Sequence, residues 1–450
     1  MKTASIILAA GQGTRMRSKL PKVMHPLLGK PLIMHALHAV KDISDLKPVI
    51  VVGHGADAVR EQVGEQAVFA LQAEQLGTGH AVMMAQPELQ GKADLVLVTF
   101  SDMPLLRTET LKRLIAVQQS GKSPLTMTTL VGDVPRGFGR IVRDENNQVI
   151  AIVEEAVATP EQLAIREYNV SAYCFDAAWL WGALPCIQVS PKGEYYLTDM
   201  VEMAVKDGFE VQTVALDDPS EGMGINTRVH LAEAEALMRQ RINTELMLSG
   251  VTIIDPARTY IETEVQIGQD TVIWPNTYLQ GDTIIGADCV IGPNAILRNT
   301  QVGDRSVILA SDTESAIVGN DVRVGPFCRL RKGAVLDDHV HMGNFGEVKE
   351  SHLGPGVKMG HFSYIGDAKI GANVNIGAGT ITCNYDGEHK NLTEIGENAF
   401  IGSDTMLVAP VRIGKNARTG AGAVVTKDVP DNTLVVGVPA VIKKRLDNSD

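Results

Sequence analysis

The sequence predicts two unlike domains joined by a helix: an α/β sheet domain, then a solenoid of six-residue units. Three observations carry this. Short apolar strands alternate with helical stretches up to about residue 225; an unbroken helical stretch follows; beyond residue 251 aliphatic residues recur every six positions. At 450 residues the chain is long enough for several domains of roughly 100–200 each.

The apolar runs Ser5–Ala9, Pro48–Val52, Ala67–Leu71 and Leu95–Phe100, bounded by glycine, proline or acid, read as buried strands. Ile33–Val40 and Leu111–Gln118 carry apolar residues at helical spacing. Alternation of this kind predicts a largely parallel sheet covered on both faces, with ligands beyond the carboxyl ends of its strands. From Asn226 to Ser249 no glycine or proline intervenes, and Val229, Ala232, Leu237, Ile242 and Leu246 lie among charged residues until Gly250. The expected domains are 1–225, a linking helix 226–250, a solenoid 251–440 and a short tail 441–450.

In the second half Ile267, Ile273, Leu279, Ile285, Ile291 and Leu297 keep a spacing of six. Val318 to Met342, Leu353 to Ile365 and Ile395 to Ile413 repeat it, often with glycine after the aliphatic residue. A fixed internal period marks a solenoid: each unit supplies one short strand and one corner, and three units close a coil. The pattern resembles the left-handed parallel β-helix of hexapeptide-repeat proteins. Its one conspicuous break, Thr382 to Lys390, predicts a loop leaving the coil.

Composition excludes several classes. The apolar fraction of 44% and charged fraction of 21% exclude wholesale disorder, and no apolar run reaches the ~18 residues of a membrane helix. The apolar stretch Ala4–Ala10 runs into Arg15 and Arg17 with no small-residue cleavage site, unlike a secretory signal. Five scattered cysteines with no Cys-x-x-Cys pair suit a reduced cytoplasmic protein without zinc. A net charge of −12 argues against nucleic-acid binding. Yet Met1 to Lys41 holds seven lysines and arginines and no acid. This block reads either as a local anion site or as a chance run on a solvated face.

The first strand ends in Leu8-Ala9-Ala10-Gly11-Gln12-Gly13-Thr14-Arg15-Met16, followed by Pro21-Lys22. Glycines there let backbone N–H groups approach phosphates, and Arg15 and Lys22 can brace them. Met16 stands where a dinucleotide fingerprint needs its third glycine, and no Walker motif follows. The run resembles the signature of sugar-nucleotide pyrophosphorylases, which implies a Rossmann-like nucleotidyltransferase domain. By that resemblance Gln72, Gly77 and Thr78 meet the uracil and ribose, and Phe100, Ser101 and Asp102 close a strand beside the nucleotide. Gly139, Glu154, Asn169 and Asn226 then hold the sugar, and Asp102 with Asn226 the Mg²⁺. That family usually has Tyr-Gly where this chain has Phe100-Ser101. Read singly, Asp102 could equally cap a helix and Lys22 be solvated.

The solenoid carries polar residues where repeats need none. Gly360-His361-Phe362-Ser363-Tyr364, Asn375-Ile376-Gly377-Ala378 and Cys383-Asn384-Tyr385-Asp386-Gly387 are such runs. With the N-terminal motifs they resemble the bacterial bifunctional N-acetylglucosamine-1-phosphate uridylyltransferases/glucosamine-1-phosphate N-acetyltransferases over about residues 4–436. The resemblance implies His361 as the base that deprotonates the attacking amine, a task suited to histidine's ordinary pKa near 6.5. It implies Glu347 as its orienting partner, Arg331 and Lys349 on the sugar phosphate, and Tyr364 and Asn375 on the sugar. Ala378, Asn384, Tyr385, Ser403 and Ala421 then fall on the acetyl-CoA side. The arginine that some members set against CoA is missing around Val436-Gly437-Val438.

The function implied is acetylation of glucosamine-1-phosphate by acetyl-CoA, then Mg²⁺-dependent uridylyl transfer from UTP to N-acetylglucosamine-1-phosphate. A homotrimer is expected, with neither nucleic acid nor membrane insertion. The competing reading is a single-activity nucleotidyltransferase whose β-helix only assembles a trimer or binds an effector.

Overall fold

A computed structural model describes residues 1–133 and 137–445, so the last five residues of the expected tail lie outside the described ones. Two compact units divide at Met238/Arg239.

The first unit is built on a nine-stranded sheet. Its strands are β1 (Thr3–Ala9), β2 (Val49–Val52), β3 (Val68–Leu71), β4 (Leu95–Phe100) and β5 (Leu125–Val131). Then come β6 (Arg140–Arg143), β7 (Val149–Val153), β8 (Glu167–Asp176) and β9 (Gln212–Ala215). The main path runs β9-β5-β8-β4-β1-β2-β3, with the β6–β7 hairpin attached to β8. Pairing is parallel from β4 through β1 and β2 to β3. Strand β8 runs antiparallel to both β4 and β5. The reason is the connection: between β5 and β8 the chain makes a hairpin and one short helix, not the crossover a parallel return needs.

Helices α1 (Leu32–Lys41) and α2 (Thr108–Ser120) contain the two predicted from periodicity. Both faces of β1 are buried. Ile6 and Leu8 pack in one apolar cluster, Ile7 and Ala9 in another, and the strand is therefore continuously apolar instead of alternating.

The linking helix α3 (Arg228–Leu248) starts two residues later than predicted and ends at a turn where Gly250 takes φ 101°. Its apolar pattern is shifted from the one read in sequence. Val229 is 65% exposed, while Ala234 and Met238 are buried in the first unit. In the second unit Ile242 and Leu246 pack on the solenoid core, and buried Asn243 donates to the carbonyls of Pro256 and Thr259 at 2.9 and 3.2 Å.

The second unit is a β-helix of three stacked sheets with twelve, ten and nine strands. One inward column joins Ile253, Ile273, Ile291, Ile308, Val324, Met342, Met359, Ile376 and Ile401. Fully burying each such side chain contributes about 1.5–3 kcal/mol, so the column is the backbone of the unit's stability. Thr313 and Thr382 occupy inward places in a second column, next to aliphatic residues such as Leu297 and Leu407. Each is satisfied inside: Thr313 bonds Thr300 at 2.9 Å, and Thr382 Oγ1 accepts from the Gly366 N–H at 2.8 Å. A buried hydroxyl left unpaired would cost about 1–3 kcal/mol.

Corners are turned by residues at positive φ, many of them Asn or Asp (Asp270, Asn276, Asp288, Asn294), the types that tolerate that region best. Successive coils are pinned there by side chains. Asp304 accepts from the Ala287 N–H, Asn320 from the Asp304 N–H and Asp338 from the Asn320 N–H, all within 2.8 Å. The first sheet ends with Val441–Arg445, which pairs antiparallel to Thr433–Val436. The expected tail is thus in part a strand, because Val441 and Ile442 find partners in Val436 and Val435.

Candidate functional sites

The carboxyl ends of β1 and β4 lie side by side, with Leu8 opposite Phe100. Ser101 fastens them: its N–H and hydroxyl both donate to the Leu8 carbonyl, at 3.1 and 2.8 Å. The serine that departs from the family pattern is therefore a buried strand lock. After β1 the chain turns at Gly13, φ 63°, where a Cβ would lie 2.5 Å from the Lys22 Cβ. Only glycine lets Lys22 pack there.

Asp102 follows the lock, and its carbonyl accepts from the Ile225 N–H at 2.8 Å, which brings Asn226 beside it. Lys22 Nζ donates to Asp102 Oδ2 at 2.6 Å and to Asn226 Oδ1 at 3.2 Å. Arg15 Nη2 donates to the same Asn226 oxygen at 3.0 Å. The two cations from the N-terminal basic block thus meet two oxygens from residues distant in sequence. Arg15, Lys22 and Asp102 line a pocket of about 470 Å³ together with Leu8, Ala9, Ala10, Gly11 and Phe100, and Asn226 is bonded to both cations.

Gln72, Gly77 and Thr78 form another wall of this pocket. Gln72 is buried and donates to the Gly77 carbonyl at 3.0 Å. Gly77, φ 97°, lies so close to the Tyr195 carbonyl that a Cβ would sit 2.5 Å from it. The Gly79 N–H donates to that carbonyl and the Leu197 N–H to Thr78 Oγ1. These bonds carry Glu194 and Tyr196 into the lining, two residues that motif reading missed. The signal available was only a polar-aromatic run after Gly193.

Gly139, Glu154 and Asn169 cluster beside that lining. The Asn169 N–H donates to the Gly139 carbonyl at 2.9 Å, and Glu154 accepts from the Thr198 hydroxyl at 3.2 Å. Burial, reinforced by Asp199 and Glu194, holds the Glu154 carboxyl above the usual carboxylate range. The Asn169 side chain is turned to Tyr173 at 2.7 Å.

Asp102 and Asn226 fit a hard divalent cation. Mg²⁺ takes oxygen donors, commonly one or two carboxylates plus substrate phosphates and water, and both oxygens already converge on a single cationic nitrogen. No group of three His, Cys, Asp or Glu suited to a metal occurs among the described residues.

The second site follows one corner of the solenoid. His361, Ala378, Ser403 and Ala421 take equivalent places in successive coils, as the bonds from Gly379 to Phe362, Asp404 to Ala378 and Gly422 to Ser403 show. Together with Asn375 they line a groove of about 690 Å³. The His361 ring is exposed and has no hydrogen-bond partner among the described residues.

Arg331, Glu347, Lys349, Tyr364 and Asn384 lie outside the walls of that groove, on or next to strands of the second sheet. Glu347 accepts from Arg331 at 3.0 Å, and is the register neighbour of Tyr364. Asn384, expected on a protruding loop, is 5% exposed at the loop's root, because its amide bonds Asp367 and the Tyr364 hydroxyl. Tyr385 does protrude, with Lys390 Nζ 4.5 Å above its ring. The loop is tied by Asp386, which accepts from the N–H groups of Glu388 and His389 and from the Asn391 amide, each within 2.8 Å. These bonds push the Asp386 carboxyl down to about 2.

Comparison with known proteins agrees with both halves. The MobA-like NTP transferase domain family matches residues 5–149, the GMPPB C-terminal domain residues 256–355, and the bacterial transferase hexapeptide family residues 392–427. The bifunctional protein GlmU of Heliobacterium modesticaldum is 47% identical, over 97% of this chain and 95% of its own length. The chain belongs to the bifunctional GlmU family. GlmU proteins of a Geobacillus species and of Pelobacter propionicus are each 46% identical and are matched over 97% and 95% of their lengths. Membership in the GlmU family covers both units, since the matches extend over 97% and 99% of the chain. No helix among the described residues is long and apolar enough to cross a membrane.

Proposed function

We propose that the two sites carry out the successive reactions of UDP-N-acetylglucosamine synthesis: acetyl transfer to glucosamine-1-phosphate in the solenoid, then uridylyl transfer in the sheet domain. The observation that carries this reading is the convergence of Arg15, Lys22, Asp102 and Asn226 at one pocket, in a chain whose other unit opens His361 to a groove of its own.

In the sheet domain a phosphate oxygen of N-acetylglucosamine-1-phosphate attacks the α-phosphorus of UTP and pyrophosphate leaves. Both partners are anions, so catalysis is mostly positioning and charge neutralisation. Arg15 and Lys22 supply cationic donors at the phosphates, Gln72, Gly77 and Thr78 hold the nucleoside, and Gly139, Glu154 and Asn169 serve the sugar, Asn169 from a side chain held by Tyr173. Mg²⁺ bound at Asp102 and Asn226 would supply Lewis-acid charge stabilisation. In the solenoid His361 accepts a proton from the amine as it attacks the acetyl thioester. Ala378, Ser403 and Ala421 present corner backbone N–H groups for the oxyanion, Asn384 and Tyr385 stand on the acetyl-CoA side, and Arg331, Lys349, Tyr364 and Asn375 receive the sugar phosphate. A β-helix serving only for assembly or effector binding needs neither the histidine nor the tied loop.

Both half-reactions measured on one purified sample test the proposal, and absence of acetyl transfer returns the chain to the single-activity reading. Asp102→Ala should abolish Mg²⁺-dependent pyrophosphate release; unchanged release would remove Asp102 from the site. We further propose a cytoplasmic homotrimer, supported by flat solenoid faces on which Ile284 and Ile317 stand 42% and 49% exposed. Light scattering that finds a fully acetylating monomer of about 48 kDa would overturn it.

A further inference from the structure

We infer that Lys22 is the occupant of the divalent-cation site until nucleotide arrives, so that metal and nucleotide enter together. The inference deepens the uridylyl-transfer reading and rests on it. Lys22 Nζ lies 2.6 Å from Asp102 Oδ2 and 3.2 Å from Asn226 Oδ1, the two oxygens suited to the metal. An ammonium and a divalent cation cannot share that position, because like charges so close repel strongly in a partly buried site. The lysine side chain is only 13% exposed and Asp102 21%, so water screens the pair weakly.

The placement is built in at both ends. Lys22 starts a short helical turn, Lys22–Met24, and its Cβ rests against Gly13. Asn226 is held by the bond between the Ile225 N–H and the Asp102 carbonyl, and its amide oxygen also accepts from Arg15. The backbone of Asp102 and the Asn226 amide are therefore anchored side by side, whereas the lysine's flexible stem can swing its charge elsewhere. A triphosphate in the pocket offers that alternative. Lys22 transfers to phosphate oxygens, Asp102 loses its counter-ion, and the cation takes the vacated place. By linkage the coupling is reciprocal: nucleotide tightens metal binding as much as metal tightens nucleotide binding.

The test uses Mn²⁺ as a paramagnetic substitute for Mg²⁺, with the full-length chain and no nucleotide. Electron paramagnetic resonance counts free Mn²⁺ for wild type, Lys22→Met, Arg15→Met and Asp102→Asn. Each variant is first checked for wild-type circular dichroism and melting. Lys22→Met should bind Mn²⁺ at least about tenfold tighter than wild type, a gain of about 1.4 kcal/mol. Arg15→Met, which removes a donor to Asn226 alone, should change it less than about threefold, within ~0.7 kcal/mol. Equal affinity in Lys22→Met and wild type, with binding lost in Asp102→Asn, would overturn the competition while keeping the metal site. Retained binding in Asp102→Asn would instead overturn the site assignment on which the competition rests.

Discussion

Glu154 is a carboxylate held where water is scarce, with Asp199 and Glu194 adding like charge, so its pKa is raised. A raised folded value means that the folded chain binds its proton more readily than the unfolded one. Stability from this residue therefore falls as pH climbs from the ordinary carboxylate range through the raised value. Glu154→Gln keeps an acceptor for the Thr198 hydroxyl and removes the charge. Its melting temperature should exceed wild type at pH 8 and match it at pH 4, with sugar binding weakened. A stabilisation equal at both pH values would show that burial of charge is not the cause. At this scale Asp102 and Lys22 are legible in the sequence because strand ends and glycine turns announce them. Glu194 and Tyr196 are not, because backbone bonds between segments over a hundred residues apart carry them to the pocket.

At the scale of elements, one carboxylate ties the loop from Asn384 to Asn391 at three points. Asp386, depressed to about 2, contributes order at every pH above the ordinary carboxylate value and loses it as pH falls through about 2. Asp386→Ala should raise KM for the acetyl-transfer substrates and open the loop to proteases at neutral pH, with the coil beneath unaffected. Unchanged proteolysis would place the loop's order elsewhere. The solenoid's register is readable because a buried column accepts only a narrow range of volumes. Thr313 and Thr382 escape that reading, since their fitness comes from hydroxyl partners in adjoining coils. Likewise the antiparallel course of β8 follows from the hairpin preceding it, which strand propensity does not encode.

Across the whole molecule the candidates for the two proposed chemistries fall in separate units, those for uridylyl transfer before Met238 and those for acetyl transfer after it. His361→Ala should lower acetyl transfer about 10²–10⁴-fold, the usual share of general-base catalysis. Uridylylation of supplied N-acetylglucosamine-1-phosphate should remain within about twofold, as expected of sites that share no residues. Parallel loss of both rates would mean that the histidine holds the fold. The existence of two domains is plain in the sequence from the change of period alone. The boundary between the two units lies inside the linking helix at Met238, a position no composition shift marks, because the helix continues across it.

A stack of parallel coils has no intrinsic length: each finished coil is a template for another, from the same chain or a stranger's. The reversed strand Val441–Arg445 ends that recursion. Every described residue in it is exposed, three in succession are basic, and its direction is wrong for a following parallel rung. Lysines on an open edge discourage pairing with a foreign strand. These five residues thus close the open edge of the first sheet against a further parallel rung.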